Sequence, residues 1–263
     1  MMSRCFVMAF SASSTTASIN MALHRFVVLG MWYREARSSP ATTLGIFQRD
    51  TMPTITVYGN DLSPPARAAR MVAEAVGLDV DLKRTYPLRG ECKKPEYIKM
   101  NPMHQIPTIN DGGFFLSESH AIVTYLADKY AKNENLYPKD ILKRSIVHER
   151  LFFDVAFYSK LITFVKNEPS DELRDNLVDG LETLERFLTT NKFLAGDNLT
   201  IADYCCYCTI TFLDFPKKGR VDLSKYKNIQ RWMDLLQKTS PLFKKYDQIR
   251  ERAIQIYLED GKY

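Results

Sequence analysis

Cysteine is scarce in this sequence and poorly placed for cross-linking. Five occur in 263 residues, at positions 5, 92, 205, 206 and 208. An odd count at that spacing suits neither a disulfide framework nor a zinc site, so a reducing compartment, the cytoplasm, is expected. Cys205, Cys206 and Cys208 follow a helix start, where buried thiols behave as small apolar groups. Long apolar runs are missing as well. The stretch from Phe26 to Tyr33 is far short of the ~20 residues a spanning helix needs, so no membrane partner is expected. An excess of one charge is also missing over most of the chain. The net charge is +5. Residues 1–51 carry Arg4, Arg25, Arg34, Arg37 and Arg49 against Glu35 and Asp50, a net +3, which leaves 31 basic against 29 acidic residues for all the rest. That near balance gives no argument for a nucleic-acid partner. There is no internal repeat, P-loop, dinucleotide fingerprint or metal-ligand spacing, so no metal is expected.

What is present is ordinary globular material. Hydrophobic residues make up 45% and charged residues 25%, and the length allows one large domain or two smaller ones. Residues 1–51 stand apart: they are rich in Ser, Thr, Ala and Met and hold no Lys. Their composition resembles a transit peptide. No motif residue precedes Met52, which reads as the ordinary start, so 1–51 is expected to be a low-order, dispensable extension.

From Thr54 the chain alternates like a strand to Tyr58. Gly59-Asn60-Asp61 breaks it. Ser63 before Pro64 fits an N-cap followed by Pro at the first helical position, and the helix runs to Gly77. Val80 to Thr85 is a second strand, parallel to the first across a β-α-β crossover. Pro95 to Met100 allows one or two helical turns. Thr108-Ile109-Asn110 and Phe114-Phe115-Leu116 flank Asp111-Gly112-Gly113, a strong hairpin signal. Ser117 or Ser119 can cap the helix that follows through Ala121, Ile122, Leu126 and Tyr130. The order β-α-β-α-β-β-α is that of a thioredoxin-like domain, assigned to 52–132. Its strand-to-helix turn reads Ser63-Pro64-Pro65-Ala66, without a thiol, so disulfide exchange there is excluded. After a linker at Asn133–Asp140 the strand signals stop. Helices fit Ile141–Lys166, Asp171–Thr189, a segment capped by Thr200 with Asp203 in a capping box, Tyr226–Lys238 and Pro241–Leu258. The fold class is therefore α/β plus all-α, with a helical bundle over 141–263.

The segment Asn101 to Ile122 carries the chemistry. A Pro opening a strand after a loop is a site for a cis bond, and Ile106-Pro107 would leave the Ile106 N–H and C=O free for a ligand's backbone. Glu118 supplies an acceptor for an ammonium. Ser119 and the helix N-terminus supply donors for a carboxylate. The layout suits a small zwitterion.

Asn101-Pro102-x-His104-x-Ile106-Pro107 followed by Glu118-Ser119-His120-Ala121-Ile122 resembles the glutathione-binding half of the cytosolic glutathione S-transferases. Ser63-Pro64-Pro65-Ala66-Arg67-Ala68 and Leu199-Thr200-Ile201-Ala202-Asp203 fit the same family in order and spacing. The motif forms are most similar to the insect delta/epsilon group, nearer epsilon. The resemblance implies a transferase that needs no cofactor, uses glutathione as co-substrate and conjugates it to small hydrophobic electrophiles in detoxification. It also implies a homodimer. His104, Ile106, Pro107, Glu118, Ser119 and His120 are then expected to bind glutathione. Cys92 stands where the epsilon pattern has a second His, with Lys93 and Lys94 beside it. Ser63 is the expected catalytic residue, its hydroxyl and the helix-end donors behind it stabilising the thiolate. Tyr58 is the rival, by likeness to other classes. For the hydrophobic substrate the chain offers Phe152, Phe153, Phe157, Tyr158, Phe164, Phe212 and Phe215, and Leu62, Phe157, Leu161 and Phe164 are the residues chosen. The alternative function is a binding protein of the same fold for hydrophobic ligands, with little turnover.

Overall fold

The chain begins its described part with a strand whose alternate residues, Ile55 and Val57, are buried. The structure is a computed structural model, and it describes residues 52–168, 170–215 and 221–260. The extension expected over 1–51 lies outside them. Strand β1 (Thr54–Gly59) pairs in parallel with β2 (Asp79–Arg84) through the crossover helix α1 (Pro64–Ala75). After the short α2 (Pro95–Met100), β3 (Thr108–Asp111) returns antiparallel to β1, and β4 (Phe114–Ser117) pairs antiparallel with β3. The sheet order is β2-β1-β3-β4. Gly112 and Gly113 both take positive φ, 59° and 99°, which a two-residue hairpin turn of this hand requires. At its base Asp111 accepts bonds from Tyr125, Tyr130 and Lys129 of α3 (Ser119–Tyr130), which ties the hairpin to the helix.

The remaining described elements are helical: α4 (Ile141–Lys166), α5 (Asp171–Phe187), α6 (Ile201–Ile210), α7 (Lys227–Thr239) and α8 (Pro241–Asp260). All ten residues of α6 are buried, so it is the axis of this part. Among the described residues no helix is long and apolar enough to cross a membrane.

The cap expected at Ser117 or Ser119 is at neither. Glu118 is the N-cap of α3, with φ 69° and no side-chain cap bond, and Ser119 is the first helical residue. Left-handed backbone at a non-glycine residue costs on the order of 1–3 kcal/mol and is kept where surroundings impose it. Here it turns the chain out of β4 and sends the Glu118 side chain into solvent rather than back onto the helix.

The start of α6 behaves as its sequence suggests. Asp203 is fully buried, and its carboxylate accepts Leu194 N–H at 2.9 Å, Trp232 Nε1–H at 2.9 Å, Thr200 N–H at 2.8 Å and the Thr200 hydroxyl at 3.0 Å. Burial pushes its pKa up, while these four donors pull it back. An amide at this position would turn an N–H group toward donors. Asp203→Asn is therefore expected to cost about 3 kcal/mol or more, read as a lower urea midpoint with an unchanged slope.

Candidate functional site

One cleft of about 990 Å³ runs between the β1–α1 turn, the 101–107 loop, the start of α3, and the faces of α4, α6 and α8. Each wall is fixed locally. Asn60 bridges its turn to the end of β2, donating to Thr85 C=O at 3.1 Å and accepting Ser63 N–H at 3.0 Å. The Ser63 Oγ accepts Ala66 N–H at 3.3 Å. That bond occupies a lone pair and leaves the hydroxyl proton to point outward. Pro64 and Pro65 have no N–H, so α1 presents no free backbone donor at its start. The backbone donors expected behind Ser63 are absent, and the hydroxyl with the helix dipole is what this end offers.

The 101–107 loop is clamped from beneath by Asn101, 1% exposed. Its side chain donates to Gln105 C=O at 2.8 Å and to Thr108 Oγ1 at 2.9 Å, and accepts Met103 N–H at 2.9 Å. Tyr97 adds a hydroxyl bond to Gln105 C=O at 2.7 Å. The clamp holds the cis Ile106-Pro107 bond at the cleft and puts His104 in left-handed backbone, φ 46°, with its ring on the cleft wall. Neither backbone group of Ile106 has a hydrogen-bond partner among the described residues.

The start of α3 differs from that of α1. The N–H groups of Ser119, His120 and Ala121 are unpaired, the first backbone bond being Ile122 N–H to Glu118 C=O. Three donors and the positive end of the dipole are therefore free at this helix start, whose residues Ser119 and His120 line the cleft. The exposed Glu118 carboxylate stands beside them. His120 spans Ser119 Oγ at 3.3 Å and Asp154 Oδ2 at 2.9 Å. Asp154, on α4, is buried, and its Oδ1 has no partner.

Ser63, His104, Ile106, Pro107, Glu118, Ser119, His120 and Leu62 thus all line this cleft. Phe157, Leu161 and Phe164 do not. They are 1%, 0% and 7% exposed, in the core. Phe157 lies against Gly180 of α5, so closely that an added Cβ there would sit 2.6 Å from its ring. The cleft takes the adjacent stripe of α4: Val155, Tyr158, Ser159, Ile162, Val165 and Lys166, with Phe212, Phe215 and Tyr257 opposite. Helix α4 carries two apolar stripes, and spacing alone cannot tell the one facing the bundle from the one facing the cleft. Tyr58 is not a cleft residue; its ring meets Tyr97 edge-on at 6.2 Å. Cys92 is also outside it, buried against Tyr97, and burial pushes its thiol pKa up. Lys93 and Lys94 are exposed and off the cleft wall.

Comparison with known proteins gives a consistent result. Residues 53–128 match the glutathione S-transferase N-terminal domain and residues 167–235 the glutathione S-transferase C-terminal domain. The chain is 35% identical over 198 residues to glutathione S-transferase D7 of Drosophila melanogaster, covering 72% of this chain and 87% of the relative. The chain belongs to the glutathione S-transferase family. Its structure is similar to a Nilaparvata lugens delta-class glutathione transferase, with a TM-score of 0.71 and 36% identity over 78% of this chain and 99% of that one. A Bombyx mori glutathione transferase gives 0.68 and 38% over 76% and 94%. An epsilon-class glutathione S-transferase of the housefly, Musca domestica, gives 0.70 and 31% over 78% and 97%. Both insect groups suggested by the motifs are represented.

In this transferase Cys92, Cys205, Cys206 and Cys208 are all free and buried. Burial pushes the thiol pKa of Cys205 and Cys206 well up and that of Cys208 to about 12. None is a ready nucleophile. Donor atoms of His120, Asp154 and Cys205 lie within 4.8 Å of one another, close enough to hold a metal ion. The His120–Asp154 hydrogen bond already accounts for the approach of two of the three. The loop clamp yields a direct test. Asn101→Ala is expected to cost roughly 2 kcal/mol, and amide exchange should accelerate over residues 101–108 before global unfolding. Unchanged exchange there would mean that the loop is held by other contacts.

Proposed function

We propose that this transferase joins the thiolate of glutathione to small, mostly apolar electrophiles in detoxification, working in the cytoplasm as a homodimer. The observation that carries the reading is the convergence on one cleft of Ser63, the Ile106 backbone, Glu118 and the free N–H groups of α3. These come from separate segments and match three parts of one ligand. Glu118 takes the γ-glutamyl ammonium, and Ser119 with the α3 amides takes the adjacent carboxylate. His120 holds Ser119 in place from behind. The Ile106 N–H and C=O, presented by the Pro107 turn, pair with the peptide's middle. His104 donates to the glycine carboxylate. Ser63 donates its free proton to the sulfur.

The apolar stripe beyond Ser63 and Leu62 is a wall for the second substrate. A second copy of the chain is supported by large apolar side chains left exposed outside the cleft. Ile141, Leu142, Ile146 and Phe152 of α4 are exposed, Phe152 at 75%, as are Phe114 and Phe115 of the hairpin. Covering such side chains is a usual gain of association.

Glu118→Gln tests the head of the ligand site. Loss of the charged partner is expected to weaken glutathione binding by about 1.5–3 kcal/mol, read by calorimetric titration, with the melting temperature held. An unchanged dissociation constant removes Glu118 from the site. Ser63→Ala tests the chemistry. It should raise the pKa of the bound thiol and cut turnover at pH 6.5 at least about tenfold, with the deficit shrinking as pH rises and solvent ionises the thiol unaided. Tyr58→Phe should change little. Thiolate absorbance against pH for both variants decides: a shift with Tyr58→Phe and none with Ser63→Ala reverses the assignment.

A further inference from the structure

One group of side chains in the cleft keeps donor atoms that neither the fold nor the roles above use. Helices α3, α4 and α6 bring together His120, Asp154 and Cys205, with one donor atom from each, all within 4.8 Å of one another. It is the one such group of three among the described residues. No ligand spacing in the sequence announces it, because each member sits on a different helix. Asp154 and Cys205 are each 2% exposed, and all three residues line the cleft, so the group is buried yet has a way in. Of the three cysteines on α6, Cys205 is the one on the cleft wall. Asp154 accepts His120 Nε2–H on Oδ2 at 2.9 Å, while its Oδ1 is buried without a partner. An orphaned carboxylate oxygen beside a thiol and an imidazole calls for a cation.

We propose that His120 Nε2, the Asp154 carboxylate and the Cys205 sulfur form a binding site for one thiophilic divalent cation, zinc or cadmium, with a fourth position open to the cleft. The donor set selects the class. An imidazole, a carboxylate and a thiolate suit borderline-soft and soft cations, whereas magnesium and calcium take oxygen ligands. The carboxylate and the thiolate carry two negative charges against the cation's two positive ones, so the filled site is neutral in its buried setting. On binding, the S–H bond breaks, its electron pair goes to the cation and the proton leaves to water. Burial pushes the Cys205 thiol pKa well up, so the thiol keeps its proton until a cation displaces it. His120 binds as the neutral ring. Its one proton then sits on Nδ1, which faces Ser119 Oγ at 3.3 Å and is steadied from behind by it. Bonds of about 2.0–2.3 Å in a tetrahedron set donor atoms about 3.3–3.7 Å apart, so side-chain rotation has to draw the three together by about 1 Å. The backbones need not move, since each ligand stands on a helix.

The test is a cadmium titration of the full chain without glutathione, followed by the ultraviolet absorbance of the thiolate–cadmium bond. A Cys5→Ser background removes the thiol of the N-terminal extension. One step saturating at one equivalent is expected, and zinc, but not magnesium, should reverse it. Cys205→Ser, which nearly keeps the side chain's shape, should abolish the step. His120→Asn and Asp154→Asn should each weaken cadmium at least about tenfold, with circular dichroism showing that each variant is folded. Cys206 is the rival sulfur, since the Asp154 charge also raises its pKa, and Cys206→Ser should leave the step as it is. No step in the parent protein overturns the proposal, as does a step that survives Cys205→Ser or disappears with Cys206→Ser. Unchanged affinity in both His120→Asn and Asp154→Asn would mean a thiol binding on its own, and overturns it too. Equal displacement by magnesium would remove the assigned cation class. None of these outcomes bears on whether the cleft binds glutathione.

Discussion

Helix α1 packs against β1 and α3 in its own domain and against α6 and α8 in the helical one, and nine of its twelve residues are buried. A helix covered on more than one side needs small residues or paired polar ones. Ala66, Ala68, Ala69 and Ala73 supply the first kind. Gly59 makes the approach to the sheet possible, since a Cβ there would stand 2.7 Å from that of Ala66. Arg67, 1% exposed, supplies the second, donating to Cys208 C=O at 3.0 Å across the domain boundary. Burial lowers its pKa. Arg70 meets Asp61, and Glu74 takes Lys245 and the Tyr246 hydroxyl. The cleft lies at the N-terminal end of this helix, so what fixes α1 fixes the position of Ser63 relative to both walls.

The signals legible in the sequence were those that act locally. The hairpin follows from two adjacent glycines, α6 from Thr200 and Asp203, and the turn before α1 from Ser63 and two prolines. The cleft-lining loop and the start of α3 were legible because Ile106-Pro107 and Glu118-Ser119-His120 are short motifs whose neighbours hold them. The rest depends on which side of an element meets what. Cys92 occupies a position that motif spacing assigns to the site, yet its side chain turns inward to Tyr97, and a spacing rule carries no side-chain direction. Phe157, Leu161 and Phe164 form as good an apolar stripe as Val155, Tyr158, Ile162 and Val165. Only the packing of α5, with Gly180 making room for Phe157, decides between them. The cap of α3 departs from cap preferences, which rank Ser above Glu. Here Glu118 takes the cap position through its backbone, leaving its side chain for other work.

The two helix starts in the cleft divide the charge between them. Helix α3 keeps three free N–H groups, enough for a carboxylate, with the Glu118 carboxylate, the partner proposed for an ammonium, beside them. Helix α1 has lost the same capacity: Pro64 and Pro65 bring no N–H, and Ser63 itself caps Ala66. A carboxylate would therefore seat at α3 in preference to α1, and a zwitterionic head would orient a tripeptide with its sulfur toward Ser63. Direction along the cleft then follows from proline placement as much as from charge.

That stripping also bounds how the thiolate can be stabilised. A thiol of pKa ~8.5 is only a few per cent ionised at neutral pH, and bringing it down by about two units requires roughly 2.7 kcal/mol of preference for the charged form. The dipole of α1 supplies about 0.3–1 kcal/mol of this. With no backbone donor left at that helix start, the remainder would fall, on the proposed reading, on the Ser63 hydroxyl. A hydrogen bond to a charged group is worth about 1.5–3 kcal/mol, which covers the difference without calling on another residue. The hydroxyl can do this because its lone pair, and not its proton, is committed to Ala66. A cap that only accepts, such as a carboxylate, would hold the helix start and bring no proton to the sulfur.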